Sequence, residues 1–288
     1  MQGRKNNTQG SEIAQAYLID RFSENDITAF DQYPDFKQRF NVKRAFVQIN
    51  GTNIIGYIPG TDIGHPKPSY IVLTAHYDHL GIELGKVHYG ADDNASGVAA
   101  LLALASFSTF LHLHHTIIFL ATDAEERGLV GAKAALRDFP VELSQIAFNL
   151  NLDMVAQVGK PAKIHLSGSR SAPQFNSLLQ DVRAGLKNSS VKLKGEHRTL
   201  RKPNSMLRRT NYRRASDHAV FIDHDIPFLY LGVTEHRYYH TEHDRYETVN
   251  EKHFLQVINI AKQILITADT AMHNAEASSK MPQPAAAR

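Results

Sequence analysis

Four short runs of almost unbroken apolar residues, Tyr70–Ala75, Thr116–Thr122, Asn149–Val155 and Pro227–Leu231, punctuate the chain. Apolar runs of that length without polar alternation predict strands covered on both faces, as in a parallel sheet between helices. Around them, Val98–Phe110, Leu129–Arg137, Pro173–Leu186 and Val249–Ala268 read as helices, and residues 10–22 place Ile13, Ala16 and Tyr17 at helical spacing. Ala45–Asn50 and Asn53–Ile58, separated by Gly51-Thr52, read as the two strands of a hairpin. This alternation predicts an α/β fold of three layers, α/β/α, with a mixed, mostly parallel central sheet and the hairpin at one side.

A chain of 288 residues sits near the ceiling for one hydrophobic core, so a single domain over residues 1–274 is expected. Residues 275–288, with Ser278, Ser279, Pro282, Pro284 and several alanines, have the composition of a flexible tail. With 42% hydrophobic and 21% charged residues the composition is that of an ordinary packed protein, not of a disordered or fibrous one. The longest apolar stretch, Val98 to Ala105, stops at Ser106, well short of a bilayer span, so no membrane span is expected. Met1-Gln2-Gly3-Arg4-Lys5 leads into no apolar signal core.

The net charge of +3 is unevenly spread. Residues 192–214 hold nine Lys and Arg (Lys192, Lys194, Arg198, Arg201, Lys202, Arg208, Arg209, Arg213, Arg214) against Glu196 alone, so the remainder of the chain is acidic. This run reads as a basic, solvated insertion, with a rim for anionic substrates as the alternative. No nucleic-acid reading motif accompanies it, and nucleic acid is not an expected partner.

The chain has no cysteine, which excludes disulfides, thiolate zinc sites and a cysteine nucleophile. It has sixteen histidines, so any metal would be held by nitrogen and oxygen. In open α/β sheets ligands collect beyond the carboxyl ends of the strands. The residues there are consistent: His76-Tyr77-Asp78-His79 after the first run, Asp123-Ala124-Glu125-Glu126 after the second, Asp153 near the end of the third, and Tyr239-His240-Thr241 beyond the fourth. Gly90 to Gly97, containing Asp92 and Asp93, lies just ahead of a helix. Two histidines with several carboxylates and no sulfur suit zinc or another first-row divalent ion, and the set is large enough for two ions sharing a carboxylate.

These residues resemble a known family. His76-Tyr77-Asp78, Gly90-Ala91-Asp92-Asp93-Asn94-Ala95-Ser96-Gly97, Glu125-Glu126-Arg127-Gly128-Leu129-Val130-Gly131, Asn151-Leu152-Asp153-Met154, Ser216-Asp217-His218 and Tyr239-His240-Thr241 look like the ordered motifs of the co-catalytic dizinc aminopeptidases. That family of zinc exopeptidases also holds glutamate-carboxypeptidase-like and transferrin-receptor-like proteins and the glutaminyl cyclases. Gly3-Arg4, Gly10 and Tyr17-Leu18 are similar to the opening of its mature domain.

The resemblance implies a zinc exopeptidase fold of the phosphorylase/hydrolase-like kind and two Zn²⁺ ions, with cobalt or manganese accepted by the same ligands. It implies that Asp93 bridges both metals, that His76 and Asp153 complete one site, and that Glu126 and His240 complete the other. Glu125 would be the general base that takes a proton from a water between the metals, and Tyr239 would donate to the developing oxyanion. Asp78 would hold the other ring nitrogen of His76, and Ser216-Asp217-His218 would position the metal loop. A cis peptide bond after the bridging aspartate, Asp93–Asn94, is also implied.

Asp92 reads as helix N-terminal charge. His112, His114 and His115 read as a solvated corner. His79 fits either the cleft or ordinary packing. His243 could reach a metal only if its loop coiled, whereas Asp244 fits the family pattern of a carboxylate four residues past the ligand.

The function expected from these residues is a metallo-aminopeptidase acting on peptides with a free N-terminus, with Met154, Tyr239 and Phe228 as candidates for an apolar pocket. The alternatives are a carboxypeptidase using the basic run as an arginine clamp, a glutaminyl cyclase with one zinc, and a binding module without catalysis. A periplasmic or secreted location fits a cysteine-free chain of this family; a cytoplasmic one is the alternative. Oligomeric state is not legible.

Overall fold

The computed structural model describes residues 3–44, 47–62, 69–186, 188–197 and 210–279. Helix α1 (Gln9–Glu24) precedes two long strands, β1 (Lys37–Arg44) and β2 (Val47–Ile58). There follow β3 (Tyr70–His76), a small hairpin of β4 (Gly81–Glu83) and β5 (Lys86–His88), α2 (Gly97–Leu111), β6 (Thr116–Thr122), α3 (Val130–Arg137), β7 (Ile146–Leu152) and β8 (Lys163–Ser167). Beyond these are α4 (Leu178–Gly185), β9 (Lys192–Lys194), α5 (His218–Ile222), β10 (Phe228–Gly232) and α6 (Glu251–Ser279).

Eight strands form one sheet in the order β1-β2-β6-β3-β7-β10-β8-β9. The inner four, β6, β3, β7 and β10, run parallel, while β2 and β8 join them antiparallel. The apolar runs are unbroken because alternate residues serve different layers. Ile71, Leu73, Ile117, Phe119 and Ala121 pack with α1, α2, α4 and α6 on one face. Val72, Ile118 and Leu120 pack with α3 and α5 on the other. The fold is therefore the expected three-layer α/β/α sandwich.

The expected hairpin is replaced by a different pairing. Gly51-Thr52 is no turn: both residues lie inside β2, and Gly51 faces Phe40 across the ladder with β1. A Cβ on Gly51 would fall 2.3 Å from Phe40 Cζ, so this glycine makes room for a phenyl ring crossing the strand. Strand β1, with Lys37, Arg39 and Lys43 among its residues, escaped the apolar pattern because it is a sheet edge, where charges are favoured. Residues 45–46 of the expected first strand lie outside the described residues. Lys192–Lys194 of the basic run form edge strand β9, paired parallel with β8, so this part belongs to the sheet. Residues 198–209 of that run lie outside the described residues.

Helix α6 extends to Ser279, so residues 275–279 of the expected tail are helical, and residues 280–288 lie outside the described residues. Residues 91–111 are long and apolar enough, by length and composition, to cross a membrane, contrary to the expectation from an apolar run that stops at Ser106. In the fold 56% of that window is buried, and α2 packs against β3, β7 and α6 as a core helix.

Candidate metal centre

Parallel strands in register finish side by side. His76, the last residue of β3, pairs with Thr122, the last of β6, and Thr74 pairs with Asn151 of β7. The segments that leave this edge carry His76, Glu125-Glu126, Asp153 and, beyond β10, His240. Asp93 arrives from the loop after β5, in a kinked turn at Ala91–Ser96 that leads into α2. Gly90 opens that turn with φ 59°, and a Cβ there would lie 2.0 Å from the Asp93 carbonyl oxygen. Only glycine allows the chain to fold back so closely. The Asp93–Asn94 peptide bond is cis, as the resemblance implied.

The structure brings all five expected ligands together. Asp93 presents its two oxygens to different partners: Oδ1 lies 3.3 Å from His76 Nε2, and Oδ2 lies 3.1 Å from His240 Nε2. His76 Nε2 is also 3.5 Å from Asp153 Oδ1, and His240 Nε2 is 3.3 Å from Glu126 Oε2. Donors bound at about 2.0–2.2 Å in a tetrahedron sit roughly 3.3–3.5 Å apart, so these spacings suit two metal ions that share Asp93. The burial of the set points the same way. Asp153 Oδ1 has no solvent exposure and no hydrogen-bond donor, which is costly for a carboxylate unless a cation satisfies it.

Electrostatics divide the carboxylates. Burial works to raise the Asp93 pKa, but hydrogen bonds from His240 and His76 hold it below the usual carboxylate range. Burial is likewise outweighed at Glu126, where His240 and His79 bring the pKa down to about 2. Burial lowers the pKa of His76, whereas Asp153 and Glu125 raise it, and the net result is well above an ordinary histidine. Glu125 moves the other way: burial pushes it well up, His76 opposes, and Asp217, Asp153 and Glu126 add to the rise. Burial also lifts the Tyr239 hydroxyl, with Asp93 and Glu126 adding to it, so at neutral pH this group is a donor.

The supporting residues differ in part from expectation. The Asp78 carboxylate was expected to hold His76. Instead His76 Nδ1 lies 3.1 Å from the Asp78 carbonyl oxygen and 3.6 Å from Oδ1, because the chain leaves the strand after His76 and brings the carbonyl nearer. The carboxylate accepts from the Glu125 amide (3.0 Å) and the Glu126 amide (3.3 Å). Asp78 thus holds the backbone of both glutamates. Alanine at Asp78 would remove that acceptor, and we expect a 10–100-fold loss in metal affinity or turnover, read by zinc titration of the purified variant.

Asp217 was expected to position the metal loop. It accepts from Thr122 Oγ1 at the end of β6, while Ser216 Oγ accepts from Asn151 Nδ2 of β7 at 2.8 Å. These residues brace strand ends, and α5, which follows them, packs against β7, β10 and α3. His218 is buried, stacks on Tyr230 and lies 2.9 Å from the Tyr212 carbonyl oxygen, outside the ligand set. Asp92, expected as helix N-terminal charge, is buried in the turn ahead of α2. Its Oδ1 accepts from the amides of Ala156 (2.7 Å) and Gln157 (3.2 Å), and its Oδ2 lies 2.9 Å from His236 Nε2.

Asp244 accepts from the Asp92 amide (2.9 Å) and the Asp93 amide (3.0 Å), which fixes the turn that presents the shared carboxylate. Arg4 donates from Nε to the Tyr77 carbonyl and from Nη2 to the Gly90 carbonyl, both at 2.8 Å, and so ties the segments of His76 and Asp93 together. His79, left open between cleft and packing, is buried with Nδ1 3.0 Å from Glu126 Oε1. Its spacing of three from His76 carried no signal, since the chain there follows neither strand nor helix periodicity. His243 is exposed and stays out of the set.

A cavity of about 50 Å³ opens over the cluster, lined by the five ligands, Glu125, Met154, Tyr212, Glu235 and Tyr239 among others. Phe228, a candidate for its apolar wall, lies instead at the start of β10, stacked on His218.

Comparison with known proteins bears on the same motifs. The model of peptidase family M28 matches residues 53–265. The aminopeptidase YwaD of Bacillus subtilis is 35% identical over 113 residues, 39% of this chain and 23% of that protein, so the matched segment spans about a quarter of its length. Among solved structures, the LapA aminopeptidase of Legionella pneumophila superposes with a TM-score of 0.66 at 23% identity, covering 92% of this chain and 67% of that one. A glutaminyl cyclase of Bacteroides thetaiotaomicron gives a TM-score of 0.69 at 18% identity over 92% of both chains. At such identities these two likenesses concern the fold.

Proposed function

The chain belongs to peptidase family M28, and on that premise we propose that it is an aminopeptidase that uses two zinc-class ions to remove the N-terminal residue of peptides. The observation that carries this reading is Asp93, whose oxygens face His76 with Asp153 on one side and His240 with Glu126 on the other. In this proposal those five residues hold the metals. Zinc bound there supplies Lewis acidity toward a carbonyl oxygen and lowers the pKa of water.

The chain's own residues do the rest. Glu125 binds no metal in this assignment, and its raised proton affinity suits a general base that accepts a proton from the attacking water and passes it to the leaving amine. Asp78 sets its position by holding its amide. Tyr239, protonated at neutral pH and at the cavity wall, is placed to donate to the tetrahedral oxygen.

The choice of the amino end over the carboxyl end rests on charge. The lining carries Asp93, Glu125, Glu126, Asp153 and Glu235 and, among the described residues, no lysine or arginine. Two divalent ions held by Asp93, Glu126 and Asp153 would offset most of that charge, and Glu125 and Glu235 keep the lining negative on balance, which favours an ammonium group over a free carboxylate. The arginine clamp of the alternative finds no support in Arg213 and Arg214: the first sits over the Phe228 ring and the second pairs with Asp223 at 2.6 Å. Arg208 and Arg209 lie outside the described residues. A periplasmic or secreted site of action remains part of the proposal, on the resemblance to a family whose members are commonly exported.

The test pairs metal content with a substrate panel: leucyl, alanyl and lysyl anilides with free and blocked amines, a dipeptide read for carboxy-terminal release, and a glutaminyl substrate for cyclisation. We expect two zinc-class ions per chain and cleavage confined to free amines. Cyclisation with one ion, or cleavage that requires a free carboxylate and ignores the amine, would overturn the reading.

A further inference from the structure

Ring contacts place most histidines outside the metal cluster. In the corner expected to be solvated only His112 is exposed: His115 is buried with Nδ1 2.7 Å from Asp269 Oδ1, and His114 stacks on His273 of α6. A longer pile stands beside the metal cavity. Tyr212, His197, Tyr230, His218 and Phe228 lie ring on ring, with neighbouring centroids 4.6–5.2 Å apart and planes within 21°. Tyr230 is the middle ring. In the sheet it pairs with Ser167 of β8 on one side and Asn151 of β7 on the other. His197 stands on the β8 side, with Nδ1 2.7 Å from Ser167 Oγ, and His218 stands on the β7 side, beside Asn151. Both faces of the phenol ring are therefore covered, and what Tyr230 turns to the metal cavity that it lines is its edge and hydroxyl.

That hydroxyl has no work in the fold. Tyr230 is 3% exposed, and its hydroxyl makes no hydrogen bond among the described residues. Gly232 marks where it ends. A Cβ on Gly232 would fall 2.9 Å from the Tyr230 hydroxyl oxygen and 2.3 Å from the Asp153 carbonyl oxygen, so the phenol reaches the main chain of an assigned metal ligand. We propose that Tyr230 is a substrate-binding residue whose hydroxyl oxygen accepts a hydrogen bond from the free ammonium group of the peptide, an inference that rests on the aminopeptidase reading and adds a recognition residue to it.

A buried hydroxyl without a partner costs stability, which leaves it to a group that enters the cavity. The first residue of a peptide brings two polar groups there, its carbonyl oxygen and its ammonium. Tyr239 stacks on His240, on one side of Asp93, and is assigned to the oxygen. Tyr230 lies on the Asp153 side and meets the other group. Burial raises its pKa, with Asp153 adding to the rise, so the phenol stays neutral and keeps lone pairs to accept with. The negative lining attracts any cation, whereas a hydrogen bond fixes where the ammonium sits. The flanking imidazoles are positioning residues. His197 Nε2 lies 3.1 Å from the Gly232 carbonyl oxygen and His218 Nε2 lies 2.9 Å from that of Tyr212. Burial lowers their pKa values to about 3 and about 4, so neither repels an ammonium at neutral pH.

The test is a cycle of two ligands and two proteins, using the zinc-loaded full chain. Leucine hydroxamate and isocaproyl hydroxamate, the same molecule without the amine, are titrated against the parent and Tyr230→Phe. Phenylalanine keeps the ring between the imidazoles, so unchanged zinc content and a melting temperature no lower than the parent's are expected. The variant is expected to bind leucine hydroxamate about tenfold or more weakly, the size of a lost hydrogen bond to a charged group, and isocaproyl hydroxamate as the parent does. With leucyl anilide the same change should raise the Michaelis constant and leave turnover nearly as it was. A parent that binds the two hydroxamates equally would count against the aminopeptidase reading and this contact together. A parent that prefers the amine by the same factor as the variant would overturn the role of Tyr230 alone.

Discussion

Replacing Glu125 with glutamine will lower turnover by roughly 10²–10⁴-fold while metal content stays at the parent value. Glutamine preserves the volume, and the Asp78 carboxylate still receives the amides of residues 125 and 126. The change removes a group able to take a proton, buried beside His76 and raised well above the usual carboxylate range. Since in this reading the change touches proton transfer and not substrate binding, turnover should fall while the Michaelis constant changes little. Glu126→Gln is the companion experiment. Its carboxylate lies 3.3 Å from His240 Nε2, so it should weaken one metal site as well as activity. Equal metal loss in the two variants would contradict the division of labour between neighbouring glutamates.

Changing Asp93 to alanine will empty both metal positions of the centre and abolish hydrolysis. Each Asp93 oxygen serves a different histidine, so no single remaining ligand can compensate on both sides. Asp153→Ala and His240→Ala should each cost one ion first, because each stands on one side only. Metal analysis of the three variants distinguishes these outcomes, and two ions retained at this centre in Asp93→Ala would end the shared-carboxylate assignment. Thermal melting gives a second readout. A ligand that binds only the folded chain adds about 2.7 kcal/mol at 100 times its dissociation constant, so the parent should melt higher with zinc and Asp93→Ala should lose the part of that shift due to this centre.

The apolar runs alone determined the layers. An unbroken run such as Tyr70–Ala75 can be soluble only if both of its faces are covered, and helices on the two faces of the sheet are the way this chain covers them. The residues placed just past those runs determined the candidate centre, because parallel strands in register end at one edge and deliver the segments beyond them to one place. Strands β1 and β9 and the true role of Gly51 were not legible. An edge strand is selected for charge, and a glycine that admits a ring looks in sequence like a glycine that turns.

Tertiary structure alone decided which polar groups support which. His79 under Glu126, Asp244 under the Asp93 turn and Arg4 across Tyr77 and Gly90 join segments up to 152 residues apart. Asp78 shows the limit within a single motif: its place after His76 was readable, yet its carboxylate serves amides 47 and 48 residues away. His114 meets His273 and Asp62 through the same physics, since a ring contact or a hydrogen bond depends on distance in space and leaves no period along the chain. Hydrophobic burial repeats with the geometry of strand and helix and is therefore written locally, whereas the partners of a buried charge are set only when the layers have closed.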